Sequence, residues 1–268
     1  VALVVGNAGY REHSQLGFAT HDANLVAHAL FTHQVTLVGS RALHNLTKVQ
    51  LEQSLEELVR LAQTADLVVI YFAGHGFQHN SSIYLLPTDT PTLKDQPPVE
   101  AIALNGWIAR LKEAAPNAKR FIAVDTCRHV PAPKPFWALT KPESDNKTLT
   151  VFASALGEKV LDKNPFAEQL ALHITYYPQM DITQMVQEVG KVVIRLTHGL
   201  QQVDAQGVLS ADTCISDCIQ PMIEPVLDIV VRCDGQHCPS VQFTANPVTR
   251  GAFKAFIDHT HLQTTAEK

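Results

Sequence analysis

The chain has 268 residues, 46% of them hydrophobic and 18% charged, with 13 Gly and 15 Pro, a composition that excludes a disordered or fibrous protein and fits one or two folded domains. Lys and Arg number 21 against 26 Asp and Glu, a formal net charge of −5, so no basic surplus exists to grip a nucleic-acid backbone or an anionic membrane, and neither is expected as a partner. The longest apolar runs, at 67–73 and 226–231, fall far short of the about 18 residues that a membrane-spanning helix needs.

The sequence opens on a strand-like run at 1–5 with no initiator Met, the pattern expected where an extension or signal precedes it; the compartment is left open, with cytoplasm ahead of periplasm. Further strands are predicted at 35–38, 67–73, 121–124 and 149–153. Helical spacing predicts helices at 22–31, 45–65, 105–115, 165–175 and 182–200, with Asp22 and Asn105 as candidate N-caps and Pro165 in a first turn. The runs 67–73 and 121–124 are apolar on both parities, as strands buried on both faces are. Strands alternating with helices predict an α/β fold with a mostly parallel sheet. Two Pro-rich stretches, 87–98 and 131–142, read as exposed loops. Beyond Gly199 the periodicity loosens until a short helix-like run at 249–259. The predicted division is therefore 1–204 for the main domain and 205–268 for a small, irregular C-terminal segment.

Chemistry concentrates at two strand ends. The run 67–73 leads straight into Gly74-His75-Gly76, and 121–124 into Asp125-Thr126-Cys127-Arg128. In a parallel sheet both motifs fall at the carboxyl ends of strands, where open α/β folds place their ligand crevice. The glycines beside His75 let backbone pass close to a substrate and leave an N–H to act as an oxyanion donor. A Cys needs a nearby imidazole to supply thiolate at neutral pH and to protonate a leaving amine. Either residue alone reads as an ordinary core side chain; their joint placement at two strand ends does not.

The segments Ala2-Leu3-Val4-Val5-Gly6-Asn7 through Tyr10, Tyr71-Phe72-Ala73-Gly74-His75-Gly76, Asp125-Thr126-Cys127-Arg128 and Phe152-Ala153-Ser154-Ala155 together resemble the caspase-like clan CD cysteine peptidases, of the paracaspase and bacterial orthocaspase type. Tyr10-Arg11-Glu12-His13 followed by Asp22 is similar to the start of the paracaspase domain. The likeness covers about residues 1–200, and the His-first spacing of about 50 residues is that of caspases. It implies a caspase-like three-layer αβα sandwich, with Cys127 as nucleophile and His75 as general acid/base. The backbone N–H groups of Gly76 and Cys127 would form the oxyanion hole. By analogy with paracaspases and metacaspases, Asp22 and Asp125 would line an S1 pocket for a basic P1 residue, Arg ahead of Lys, with Ser154 beside them. Taken singly, Asp22 also reads as a helix N-cap and Asp125 as a strand-end turn residue. Glu158 and Asp162, after the fifth strand, are further S1 acids or plain solvated loop charges. Thr126 and the Arg128-His129 pair depart from the Gln-Ala-Cys-Arg-Gly run of caspases that bind Asp at P1.

The loop after the nucleophile holds Lys134, Lys141 and Lys147 among prolines, and exposed loops of this kind are what proteases cut. Pro follows Lys134 and Lys141, which disfavours cleavage there, so Lys147 is the expected self-cleavage site. No metal or cofactor is called for. Cys214, Cys218, Cys233 and Cys238 lack the tight spacing of zinc knuckles, and disulfides or free thiols are expected instead. The run from Pro247 to Phe256 resembles the start of a formylglycine-generating-enzyme-like domain, of which this chain would hold a fragment. Expected partners are a protein or peptide substrate and a regulatory partner or upstream activator. A catalytically silent scaffold that binds peptides along the same cleft, or a clan CD peptidase of different P1 specificity, is the alternative function.

Overall fold

The computed structural model describes residues 1–79, 82–91, 100–126, 145–154, 165–218, 232–233 and 236–237 and divides into two units, Val1–Cys218 and Ile219–Lys268. In chain order the first unit contains β1 (Ala2–Gly6), α1 (Ala19–Thr32), β2 (Leu43–His44), α2 (Lys48–Ala62), β3 (Leu67–Gly74), β4 (Gly76–His79), β5 (Ser82–Leu85), β6 (Ile102–Ala103), α3 (Leu104–Ala114), β7 (Lys119–Thr126), β8 (Lys147–Phe152), α4 (Phe166–Tyr176), α5 (Ile182–Leu196) and β9 (Asp204–Leu209). The main sheet has the order β2-β1-β3-β7-β8-β9, and β4, β5 and β6 form a separate antiparallel sheet. Every neighbouring pair in the main sheet is parallel except β8 and β9.

The unbroken apolar runs of β3 and β7 follow from burial on both faces. Val69, Tyr71 and Ala73 pack with Phe121 and Ala123 beneath α1, α4 and α5, while Val68, Ile70 and Phe72 pack with Ile122 and Val124 beneath α2 and α3. On α2 the buried stripe is Leu51, Leu55, Leu58 and Ala62, an i, i+4, i+7 spacing in which each buried Leu contributes about 1.5–3 kcal/mol. The result is the α/β sandwich with a mostly parallel central sheet that the sequence predicts.

Several boundaries differ from expectation, each for a local reason. The predicted strand at 35–38 reduces to a single parallel bridge between Leu37 and Ala2. Gln34, Gly39 and Ser40 all take positive φ, which turns the chain at both ends of the run, and the edge strand forms later as β2. Helix α1 starts at Ala19, so Asp22 lies inside the first turn, its N–H donating to the Phe18 carbonyl at 2.9 Å; it is not an N-cap. Helix α2 starts at Lys48 behind a Thr47/Gln50 capping box. Asn45 serves elsewhere, with Oδ1 accepting the N–H groups of Ala8 and Gly9 at 2.9 and 2.8 Å. Asn105 is not a cap either, since α3 begins at Leu104 with Ala103 at that position. Helix α5 is capped by Asp181, which accepts from the Thr183 and Gln184 N–H groups, and it ends at Leu196 because His198 and Gly199 take positive φ.

The stretch beginning at Pro87 is not exposed where it is described. Thr88 and Thr90 are buried, the Thr88 N–H donates to the Leu46 carbonyl at 2.9 Å, and Asp89 accepts from the Lys48 N–H at 2.9 Å. Strand β9 pairs with β8 from Asp204 onward, so the first unit runs through Cys218 rather than ending near 204. A Cys214–Cys218 disulfide closes its last turn. In the second unit, β10 (Arg232–Cys233) pairs antiparallel with β11 (Gln236–His237); Cys238 and 247–256 lie outside the described residues.

At the amino end of β7, Arg120 is 1% exposed. Its guanidinium donates to Asp145 Oδ2 at 2.7 Å, Thr148 Oγ1 at 2.9 Å and the Ala118 carbonyl at 2.8 Å, and Lys112 approaches the same Asp145 oxygen at 3.1 Å. Burial pushes the Asp145 carboxyl up, but the Lys147 N–H, Lys112 and Arg120 together outweigh it and hold the group at about 2. Because the folded value lies below the ordinary one, this stabilisation is complete above the unfolded carboxyl range and is lost as pH falls through about 2. Asp145→Ala strands a buried guanidinium and is expected to destabilise the fold by about 3 kcal/mol. Urea unfolding at neutral pH measures this, and an unchanged midpoint contradicts the assignment.

Candidate active site

Two adjacent strands end together. The β3–β7 register pairs Ala73 with Asp125 and Gly74 with Thr126, so the residues directly before His75 and Cys127 sit side by side on neighbouring strands, about 4.8 Å apart. Cys127 itself lies outside the described residues, as do Glu158, Asp162, Lys134 and Lys141.

His75 is half-buried and held from several directions. Its N–H donates to Tyr10 Oη at 2.8 Å, and the two rings lie with centroids 4.5 Å apart. The Tyr10 hydroxyl in turn donates to the Leu86 carbonyl at 3.1 Å, which also accepts from Asn7 Nδ2 at 3.1 Å. Burial pushes the ionisation of Tyr10 well up, so the hydroxyl stays a donor. The imidazole Nε2 lies 2.7 Å from the Ser14 carbonyl. A carbonyl can only accept, so Nε2 carries the proton in this contact. Tyr10→Phe removes both the acceptor for the His75 N–H and a donor to Leu86. The expected loss is about 1–3 kcal/mol of stability, read as a lower thermal midpoint, with an unchanged midpoint contradicting this role.

The glycines around His75 are needed for space. A Cβ on Gly74 would lie 2.6 Å from Tyr10 Oη, and one on Gly76 would lie 2.9 Å from Thr126 Oγ1 and 3.1 Å from Thr126 Cβ. Gly76 faces Leu85 in the β4–β5 ladder, and the Leu86 N–H donates to the His75 carbonyl at 3.0 Å. In an antiparallel pair that bond makes Gly76/Leu85 a non-hydrogen-bonded position, so the Gly76 N–H points away from β5.

Asp22 and Asp125 are 7% and 6% exposed. Tyr71, fully buried on β3, donates its hydroxyl to Asp125 Oδ2 at 3.1 Å. Burial first, and then the charges of Asp125 and Asp22, push its ionisation well above the usual tyrosine range. Ser154 is buried just past β8, where the preceding Ala153 N–H donates to the Val124 carbonyl at 3.0 Å. Sequence reasoning passed over Tyr71 as strand core; the signal was a phenol in an otherwise aliphatic buried run, since a buried tyrosine hydroxyl finds a partner. The Ser14 carbonyl left no signal, being backbone.

Lys147 is placed against its expected role. It opens β8 and faces Leu209 of β9, while Thr148 faces both Arg120 and Val208. Its N–H donates to Asp145 Oδ1 at 3.0 Å and its ammonium to the Pro116 carbonyl at 2.9 Å. The Lys147–Thr148 bond therefore lies at the start of a strand that is paired with β9 from Lys147 and with β7 from Thr148, a placement that argues against it as a self-cleavage site in the folded domain.

A six-stranded, mostly parallel sheet with helices on both faces, whose strands β3 and β7 lead into the His75 and Cys127 motifs at its carboxyl edge, is the arrangement of a caspase-like α/β domain. The chain belongs to the caspase-domain family (Peptidase_C14), whose family model matches residues 1–222. Among curated proteins it is similar to mucosa-associated lymphoid tissue lymphoma translocation protein 1 of Homo sapiens, 29% identical over 91 residues, and to the Mus musculus homolog at 28%. Those matches span 34% of this chain and 11% of each relative's length. Among solved structures it is similar to caspase-1 from Spodoptera frugiperda, with a TM-score of 0.62 and 11% identity over 81% of this chain and 90% of that one. The Drosophila initiator caspase Dronc aligns with a TM-score of 0.57 and 13% identity over 77% of this chain and 78% of that one.

Proposed function

We propose that this domain cleaves protein chains after a basic P1 residue, Arg ahead of Lys, through an acyl-enzyme on Cys127. The observation that carries the reading is the strand register, Gly74 opposite Thr126, with the buried acids Asp22 and Asp125 at the same edge. In this reading His75, with Nε2–H engaged by the Ser14 carbonyl, takes the Cys127 thiol proton on Nδ1. The thiolate adds to the scissile carbonyl carbon, and the Gly76 and Cys127 N–H groups receive the oxyanion. His75 then returns the proton to the leaving amine, and water, deprotonated by the same imidazole, releases the acyl group.

Specificity follows from charge. Two carboxylates held out of water in one pocket favour a cation between them, and a guanidinium spans two carboxylates better than a compact ammonium does. Ser154 lies beside them as a lining residue, with Glu158 and Asp162 as further candidates. The test is fluorophore release from peptides that differ only in Arg, Lys or Asp at P1. The reading expects Arg above Lys and no turnover of Asp; Asp above Arg would overturn the specificity, and no turnover of any of the three would favour the silent scaffold.

A further inference from the structure

The buried phenol of Tyr71 has no part in the chemistry above, and its bond to Asp125 ties it to the proposed pocket. Tyr71 belongs to β3, on the face covered by α1, α4 and α5. Residue 125 on β7 lies opposite Ala73, two positions further along, so the phenol reaches forward along the strand direction to meet Asp125. Its hydroxyl donates to Oδ2 at 3.1 Å. That bond constrains the rotation of the carboxylate plane about the side chain's last torsion.

We propose that Tyr71 is a positioning residue for the S1 pocket: by its hydrogen bond it holds Asp125 ionised and oriented toward a basic P1 side chain. The inference rests on the S1 reading of Asp22 and Asp125. A donor on one carboxylate oxygen favours the charged form beside a second carboxylate, whose like charge disfavours it. The phenol is suited to this task because it stays neutral there: burial and the two neighbouring carboxylates push its own ionisation well up. It therefore adds a donor without adding a charge that would compete with the substrate cation.

The test is a double-mutant cycle on the full chain with a P1-Arg fluorogenic peptide, using Tyr71→Phe, Asp125→Asn and the pair. Tyr71→Phe keeps the ring and removes only the donor, so KM for the Arg peptide is expected to rise about tenfold, the scale of a hydrogen bond to a charged group, with kcat within about threefold. In the Asp125→Asn background the same change is expected to have no further effect, because the positioned charge is already gone. Alkylation of Cys127 by iodoacetamide should keep its wild-type rate in Tyr71→Phe, a readout that general loosening of the sheet would move. An unchanged KM, or an effect that adds in full to that of Asp125→Asn, overturns the proposal. A wild-type enzyme that cleaves after Asp and not Arg overturns the S1 reading beneath it, a failure visible before any variant is made.

Discussion

Cys127→Ala and His75→Ala are each expected to cut kcat/KM by about 10⁴-fold or more, and the double variant to be no worse than either single one. Nucleophile and base act as one unit, so removing the second member of a broken pair removes nothing further. The fold should survive, because β3 and β7 owe their pairing to the register from Leu67 to Gly74 and to two buried faces, not to the residues that follow their ends. Far-ultraviolet circular dichroism with the peptidase assay separates loss of chemistry from loss of structure. Wild-type turnover in either folded variant would contradict the dyad.

The next largest effect is expected in the pocket. Asp125→Ala or Asp22→Ala leaves a single carboxylate against a P1 guanidinium, and the loss should be about 2 to 5 kcal/mol in transition-state terms, the scale for breaking a buried charge pair. At 1.36 kcal/mol per decade that is about 30- to 5,000-fold in kcat/KM. Asp22 lies in the first turn of α1, near its N-terminus, so its negative charge also suits the helix dipole. Asp22→Asn removes the same charge while keeping the side chain's size and hydrogen-bonding oxygen, and so separates loss of charge from loss of packing. Equal loss on Arg and Asp peptides would mean that the acids support the fold and do not read P1.

What the sequence disclosed follows from burial. The runs at 67–73 and 121–124 were legible because strands covered on both faces carry unbroken apolar residues, and those two strands aim both reactive motifs at one edge. Strand β9 was not legible: Asp-Ala-Gln-Gly-Val-Leu sits at the sheet's edge, largely exposed, and includes Gly207 at positive φ, so it carries neither alternation nor a continuous run. The run at 35–38 erred in the other direction. Leu37 and Val38 are buried and Val35 partly so, but turns at Gln34 and Gly39 leave too little extended backbone for a ladder. At the site, His75 could be picked out by its place between glycines at a strand end, and Asp22 and Asp125 only through the resemblance to paracaspases and metacaspases. Tyr71 and the Ser14 carbonyl could not, because their roles exist only once β3, β7 and the chain after β1 are brought together. Lys147 reads as loop in the sequence because loop composition extends up to the residue that opens β8.

The central claim joins one nucleophile to one specificity, and a covalent probe tests both at once. A short peptidyl chloromethyl ketone ending in Arg, incubated with the full chain and followed by peptide mapping, should place a single label on Cys127. Labelling should be far faster than with the same probe ending in Asp, and it should disappear in His75→Ala. Label on Cys233 or Cys238 in place of Cys127, or faster labelling by the Asp probe, would contradict the account.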